Sequence, residues 1–456
     1  MKCIISIDLG TTKLCAAAVD VETLRPQTVV SCVNDADITG LPAGLHEQCP
    51  RKIWRNVCDL ICRLTRECPA AAGATAVSIS GQMHGVMLVD ANVEPMGNFI
   101  TWRDRRGNGD EYAAAVAERT GCRLHPGYGG ATLSWLAERG MIHADAKALS
   151  LADYIAAKLT GIAVNENTHA ASWGIFDVHA NRWSSELLVR LGIPADVLCE
   201  VKKSASQLGK INGQISAELG LSGATVVCSP VGDNQASVIG AAGFDDESLV
   251  INLGTGGQVS IPGTAGNFVE GFETRPMPGG GFIHVGASLC GGWSYAYLKN
   301  FCGDLIKKIA GVELSDDELY TKLNELATDA ATCDGGLSVD TRFAGVRGDN
   351  TIRGSIGRID TANFNIADLS YAFLAGMVEE LHCMAKPMLA GKKRVVASGN
   401  AVRKNPLMPG IISNIFGVEC NVSCSREEAA IGAAASAAMA IGLSSRDDIN
   451  RCMRNG

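Results

Sequence analysis

The chain lacks the compact nucleotide-binding signatures that can be read from spacing alone. It contains no Gly-x4-Gly-Lys-[Ser/Thr] run, which excludes a P-loop. The nearest approach to Gly-x-Gly-x-x-Gly is Gly254-Thr255-Gly256, which runs on to Val259 inside an expected hairpin instead of opening a helix. A Rossmann dinucleotide site is therefore not expected. A protein-kinase catalytic loop is absent too. There is no basic stripe, and the formal net charge is −8, so nucleic acid is not an expected partner. Long apolar runs are missing: Ala429–Leu443 is short and Ala-rich, whereas a membrane span needs about 20 greasier residues. It reads as a buried helix with close neighbours. The apolar start, Met1 to Ile7, is cut by Asp8 and shows no signal-peptide cleavage pattern. Aromatic residues are scarce, at 5%.

What is abundant is small. Fifty-two glycines imply tight turns and close approach of backbone to a ligand. The 17 cysteines follow no framework spacing; Cys58 and Cys62, like Cys420 and Cys424, are four apart and match no paired zinc knuckle. Reduced, mostly buried thiols in a cytoplasmic protein are the expectation. With 46% hydrophobic and 19% charged residues over 456 positions, the chain has enough apolar material for two cores.

The organisation repeats. Cys3–Leu9, a turn at Gly10-Thr11-Thr12, and Leu14–Val19 read as a β-hairpin. Near half-length, Leu249–Leu253, Gly254-Thr255-Gly256-Gly257 and Gln258–Ile261 echo it. Between and after these turns, strands at Ala74–Ser80, Ala224–Cys228 and Val395–Ser398 alternate with helices. The helices are Ile53–Thr65, Ala146–Leu159, Ser184–Leu191, Asn234–Ala242, Asp316–Ala327, Asn365–Leu389 and Ala429–Ile441. This is an α/β pattern. The break at Gly243-Phe244-Asp245-Asp246-Glu247 divides it into domains 1–242 and 243–456.

Several turns carry usable chemistry. In Asp8-Leu9-Gly10-Thr11-Thr12-Lys13 the amides and hydroxyls after Gly10 can form an anion nest, and Asp8 can hold Mg²⁺ through water. An ordinary hairpin steadied by an Asp fits the same residues. Gly254-Thr255-Gly256 could approach the same phosphates from the other side. Asp233, between a strand and a helix, suits either an N-cap or a general base. Gln82-Met83-His84 and Trp102-x-Asp104 offer donors, acceptors and a stacking face of the kind that holds sugars. Ser398-Gly399-Asn400 after a strand could let a nucleoside lie against backbone, and turn chemistry explains it equally well.

Taken in order, these motifs resemble the FGGY carbohydrate kinases of the actin-like ATPase superfamily, nearly end to end. The resemblance implies two actin-like (ribonuclease H-like) domains flanking a cleft, with the nucleotide in the second and the sugar and base in the first. It implies ATP and Mg²⁺, Asp233 as the base and Asp8 on the metal side. Gly10, Thr11, Thr12, Lys13, Gly254, Thr255, Gly256, Gly399 and Asn400 would be nucleotide contacts. Gln82, Met83, His84, Trp102 and Asp104 would face the sugar. The segments Gly127–Trp135, Ala170–Gly174, Gly232–Ser237 and Ala287–Gly292 are similar to the sedoheptulokinase branch. That implies phosphorylation of sedoheptulose at its terminal hydroxyl, with a pentulose such as xylulose as the alternative and a non-kinase actin-like scaffold more remote. Sugar and ATP are the expected partners; a homodimer is compatible with the sequence but not read from it. Lys13 stands where many relatives carry Ser, and Asn167 near where they often carry Asp.

Overall fold

The computed structural model describes residues 2–106, 116–119, 121, 124–264, 266–267, 269–330, 336–346 and 351–454. In the first half, β1 (Cys3–Leu9), β2 (Lys13–Asp20), β3 (Pro26–Val33) and β4 (Ala76–Gly81) join β5 (Gln207–Lys210) and β6 (Val226–Cys228) in one sheet. The order is β5-β6-β4-β1-β2-β3, with the short β7 (Val231–Gly232) alongside β4. β1 is antiparallel to β2 and parallel to β4.

The second half repeats this. β8 (Ser248–Leu253), β9 (Gly257–Gly263), β10 (Glu273–Pro276), β11 (Phe282–Ser288), β12 (Arg394–Ser398) and β13 (Glu419–Val422) run in the order β10-β11-β9-β8-β12-β13. β8 is antiparallel to β9 and parallel to β12. The two hairpins therefore hold the same place in two sheets of like topology, an actin-like α/β arrangement. The half-length echo in the sequence is the trace of that duplication in form.

Helices cover the sheets. α1 (Pro50–Glu67) presents Ile53, Val57, Leu60, Ile61 and Leu64 to β1 and β2, and α2 (Leu151–Thr160) adds Ile155 and Leu159. α3 (Asp233–Ala242) starts directly after β7. α4 (Gly292–Ala310) and α5 (Ile366–Ala385) flank the second sheet. α6 (Glu428–Ala440), eight of whose 13 residues are Ala, is buried around nearly its whole girth. Ala430, Ala434, Ala437 and Ala438 lie on Ile4, Ala17, Val19 and Ala76 of the first sheet, while Ile431 and Ala435 meet Val250 and Val396 of the second. Only small side chains let one helix fill so thin a space. α3 crosses it so closely that a Cβ on Gly432 would stand 1.8 Å from the Ala236 carbonyl oxygen, and one on Gly240 would stand 2.0 Å from that of Glu428.

The elements named from the sequence match the structure to within a few residues, with one exception. The exception is Ala146–Leu159, read as one helix. The structure splits it into a strand, Lys147–Leu149, and α2, because Ser150 is an N-cap whose hydroxyl accepts from the Asp153 amide. β3, β10, β11 and α4 were not anticipated; β3 exposes Gln27, Val29, Ser31 and Val33 in alternation, and the mix of polar and apolar residues on that open face weakens the pattern. Every described cysteine is a free thiol. No helix is long and apolar enough to cross a membrane among the described residues.

Candidate active site

The carboxyl ends of the parallel strands in both sheets converge on a cavity of about 420 Å³. Asp8 and Gly10 come from the end of β1, Gln82, Met83 and His84 from the end of β4, and Asp233 and Asn234 from the start of α3. Asn252 and Ser398 close it from the second sheet, where they are paired in register. In open α/β sheets this end is where ligands bind, because strand ends and helix starts leave backbone donors free. Two larger hollows, of about 920 and 580 Å³, lie away from these strand ends.

Asp233 is not an N-cap: that position belongs to Gly232, and the Asp233 carboxylate accepts from the next amide, Asn234, at 2.7 Å. Burial pushes its carboxyl pKa above the ordinary value, opposed by the charges of His169 and Arg275. Asp8 accepts from the Ser80 hydroxyl. Burial lifts its pKa to about 6; the Ser80 hydrogen bond opposes this, and the negative charges of Asp233 and Glu427 add to it. Two carboxylates thus face one cavity. The sequence-predicted cation, Lys13, is turned away to Glu427 at 2.8 Å. Among the described residues no cluster of metal-ligating side chains is complete by itself. The fit to Mg²⁺ comes from donor chemistry: a hard-oxygen carboxylate beside a cavity with room for water and a phosphate group.

Just past the end of β4, His84 has φ 75°, strained for a residue with a Cβ. Its amide and Nδ1 both bond Ser172, at 2.9 Å each, and its ring stacks on Tyr128 at 4.6 Å. The short helix Asn167–Ala171 stands behind it. There Glu166 accepts from the amides of Thr168 and His169 and from His169 Nδ1, while the Thr168 hydroxyl accepts from the Gly232 amide at 2.8 Å. The segment thereby ties the His84 turn to the Asp233 turn. Asn167 accepts from the amide and hydroxyl of Ser204 and donates to Asn181, so it braces a loop and does not line the cavity.

The structure also links residues the sequence kept apart. The Trp102 indole N–H donates to the Thr11 hydroxyl at 2.9 Å, which donates to Gln82 at 3.2 Å. Gln82 in turn donates to Gln48, and Gln48 to the Thr11 carbonyl, at 3.0 Å each. Met83 is buried, with its sulfur accepting from Arg275. Asp104 does not reach the cavity here. Its buried carboxylate binds the guanidinium of Arg106 at 2.8 and 2.9 Å and the His46 amide at 2.8 Å. Thr12, Lys13, Gly254, Thr255, Gly256, Gly399 and Asn400 lie outside the cavity lining. Thr255, Gly256 and Asn400 are exposed beside it. Gly399 has φ 94°, and a Cβ there would stand 2.4 Å from the Leu253 oxygen, so the ends of β8 and β12 meet at backbone contact.

Arg275 escaped the sequence reading. It is 4% exposed, paired with Glu273 at 2.5 Å and bonded to Asn234 at 3.3 Å, so it brings a cation from the second sheet beside Asp233. Glu273 also accepts from the Tyr128 hydroxyl at 2.5 Å. Glu273-Thr274-Arg275-Pro276 carries no local signal of this role; only the sheet's edge position creates it.

This geometry, two strand-end turns around a carboxylate pair and a sugar-like donor set, has close counterparts. A model of the FGGY family of carbohydrate kinases, N-terminal domain, matches residues 3–240. The chain is 25% identical to sedoheptulokinase of Mus musculus over 90% of its own length and 92% of that protein. It is 25% identical to xylulose kinase of Staphylococcus xylosus, over 96% and 91%. The structure of a ligand-bound xylulose kinase from Lactobacillus acidophilus superposes with a TM-score of 0.84 at 23% identity, covering 99% of this chain and 92% of that one. With the family model matching more than half of the chain, the protein belongs to the FGGY family of carbohydrate kinases.

Proposed function

We propose that this kinase transfers the γ-phosphoryl group of ATP to the terminal hydroxyl of a ketose, with sedoheptulose as substrate and sedoheptulose 7-phosphate as product. The carrying observation is Asp233, a carboxylate with a raised pKa where the ends of both sheets meet. It takes the proton of the attacking hydroxyl as the new P–O bond forms and the bond to ADP breaks. Phosphoryl transfer asks the protein mainly for positioning and charge stabilisation. Gln82, His84 and Trp102 hold the sugar, and Arg275 keeps the base ionised. The turns at 10–12 and 254–256, with Gly399 and Asn400, cradle the nucleotide; residues 1–242 carry the sugar half and 243–456 the nucleotide half. Asp8 would hold Mg²⁺ through water, and the ion would neutralise charge between the phosphates.

The sugar assignment rests on the mouse relative and on Tyr128, whose ring backs His84 while its hydroxyl reaches Glu273. The xylulose kinase match of similar identity favours a second reading, a pentulose kinase. A panel of sedoheptulose, xylulose, ribulose, fructose and glycerol with coupled ADP detection decides between them. One extra well-read hydroxyl is worth about 1–3 kcal/mol, so sedoheptulose should exceed xylulose roughly ten- to a hundredfold in kcat/KM. Parity, or a preference for xylulose, would reverse the sugar assignment and leave the kinase intact.

The nucleotide side has its own test. A Cβ at Gly254 would meet nothing nearer than the Asn252 side chain at 3.9 Å, so the fold has room for Gly254→Val, which adds bulk to the turn that flanks the cavity. ATP affinity should fall about tenfold or more while sugar affinity holds. Calorimetry showing the reverse would dissolve the two-turn cradle.

A further inference from the structure

Asp153, Glu166 and His169 are each at most 2% exposed, and none of them lines the cavity. Ionisable groups cut off from water are costly to keep unless each has a partner. The two carboxylates have theirs. Glu166 accepts from the amides of Thr168 and His169, from the Thr168 hydroxyl, and from His169 Nδ1 at 3.0 Å. Asp153 accepts from the Ser150 hydroxyl at 2.8 Å and from the Glu166 amide at 3.1 Å. His169 is served on one side only. Its Nε2 is buried and has no partner among the described residues.

A second orphan belongs to the same turn. Gln235 Oε1 is buried without a partner, while Gln235 Nε2 donates to the Pro276 carbonyl at 3.2 Å, which fixes which end of the amide is oxygen. That oxygen stands 2.9 Å from where a Cβ on Gly232 would sit, and the Gly232 amide is the one held by Thr168, the neighbour of His169. A neutral His169 that donates from Nδ1 to Glu166 carries a lone pair at Nε2. The turn then keeps two buried acceptors and no donor for either. A proton on Nε2 turns one acceptor into a donor. Charge points the same way. Burial works to lower the His169 pKa, yet the Glu166 hydrogen bond and the negative charges of Asp153, Glu166 and Asp233 carry it above the ordinary histidine value. At Asp233, His169 is the first charge opposing the upward push of burial, ahead of Arg275.

We propose that His169 is a positioning residue for the phosphoryl transfer: a buried imidazolium, anchored through Nδ1 on Glu166, whose Nε2–H faces the Asp233 turn and holds the base ionised and aligned. The inference rests on Asp233 as the base. His169 does not touch sugar or nucleotide, because it stands outside the cavity lining. It differs from Arg275 in where it is fixed. Arg275 reaches Asp233 from β10 of the second sheet, whereas His169 is in the same half as the base and is tied to its turn through Thr168. Its charge therefore stays beside Asp233 whatever the separation of the two sheets.

Nitrogen-15 NMR of the full chain labelled at histidine reads the charge state, with His169→Gln identifying its resonances among the eight histidines. Near neutral pH, where an ordinary histidine is mostly uncharged, both His169 nitrogens should be protonated. Asp233→Asn removes one of the negative charges facing it and should lower its titration midpoint by about one unit, with Asp153 and Glu166 left in place. Kinetics reads the role. His169→Leu, apolar and close in size, should cut kcat about ten- to a hundredfold while KM for sugar and ATP changes less than about threefold. His169→Gln keeps a donor near the Nε2 position and should recover most of that loss. If His169→Leu fails to fold by circular dichroism, the Gln variant and the parent's spectra decide. A neutral His169 near neutral pH, an imidazole indifferent to Asp233→Asn, or parental kcat in a folded His169→Leu would each overturn the proposal. Parental turnover in Asp233→Asn would instead overturn the base assignment beneath it; the NMR coupling does not depend on turnover, so the two failures are told apart.

Discussion

Asp233→Asn should lower turnover by about 10²- to 10⁴-fold, or roughly 3–5 kcal/mol of transition-state stabilisation, the usual range for losing a general base. Asn keeps the shape and can still accept from the Asn234 amide, so the start of α3 should persist. It cannot take a proton. KM values for sugar and ATP should change little, placing the loss in kcat. The pH profile adds a second signature. The Asp233 pKa is raised, chiefly by burial, so the base is lost to protonation as pH falls through a value above the ordinary aspartate range. The parent enzyme should therefore show an acid limb displaced upward, with activity rising as pH rises through it, and the variant's residual rate should lack that limb. Near-parental turnover in Asp233→Asn would remove the residue from the role.

The second large effect is expected at the helix crossing. Gly432→Val would drive a side chain into the Ala236 carbonyl, where even a bare Cβ would stand at 1.8 Å. Overpacking of a core costs typically about 1–3 kcal/mol, and the clash here is with backbone on a helix that cannot rotate away. At least about 3 kcal/mol of destabilisation is expected, read as a lower denaturation midpoint. Gly410→Ala supplies the control. That glycine also sits in a helix, but nothing lies within 4 Å of its Cβ position, and alanine there should be neutral or stabilising by about 0.5–1 kcal/mol. If the two substitutions shift the midpoint equally, the close crossing of α3 and α6 is not a real constraint.

What the sequence disclosed was what chain punctuation records. Asp8-Leu9-Gly10-Thr11 and Leu253-Gly254-Thr255-Gly256 stand out because a buried strand ends on residues that must turn; the first turn lines the cavity and the second lies beside it. Asp233 was legible for the same reason, at a strand-to-helix step. Arg275 and Gln48 were not, because their roles come from residues more than thirty positions away that only the sheet edges bring near. Asp104 shows the opposite failure. Its spacing from Trp102 suggested a sugar contact, while the structure engages its carboxylate on Arg106, two residues on. Lys13 likewise found a partner, Glu427, that no local pattern could name. The Ala-rich run at 429–441 was read as a closely packed helix, but not that it lies between both sheets, since a helix buried on all sides has no polar face to reveal its neighbours.

That last helix also constrains how the protein is made. The Ser6 hydroxyl donates to the Ala430 carbonyl at 2.6 Å, across 424 positions of chain. During synthesis Ile4, Ala17, Val19 and Ala76 leave the ribosome early, yet stay uncovered until α6 emerges, more than 350 residues after Ala76. At about 5–20 residues per second, that apolar face is exposed to solvent for roughly 20 seconds to over a minute. A sheet that must wait for a helix so much later in the chain is a natural client for chaperones. It also has little prospect in an isolated N-terminal fragment, however complete its strands.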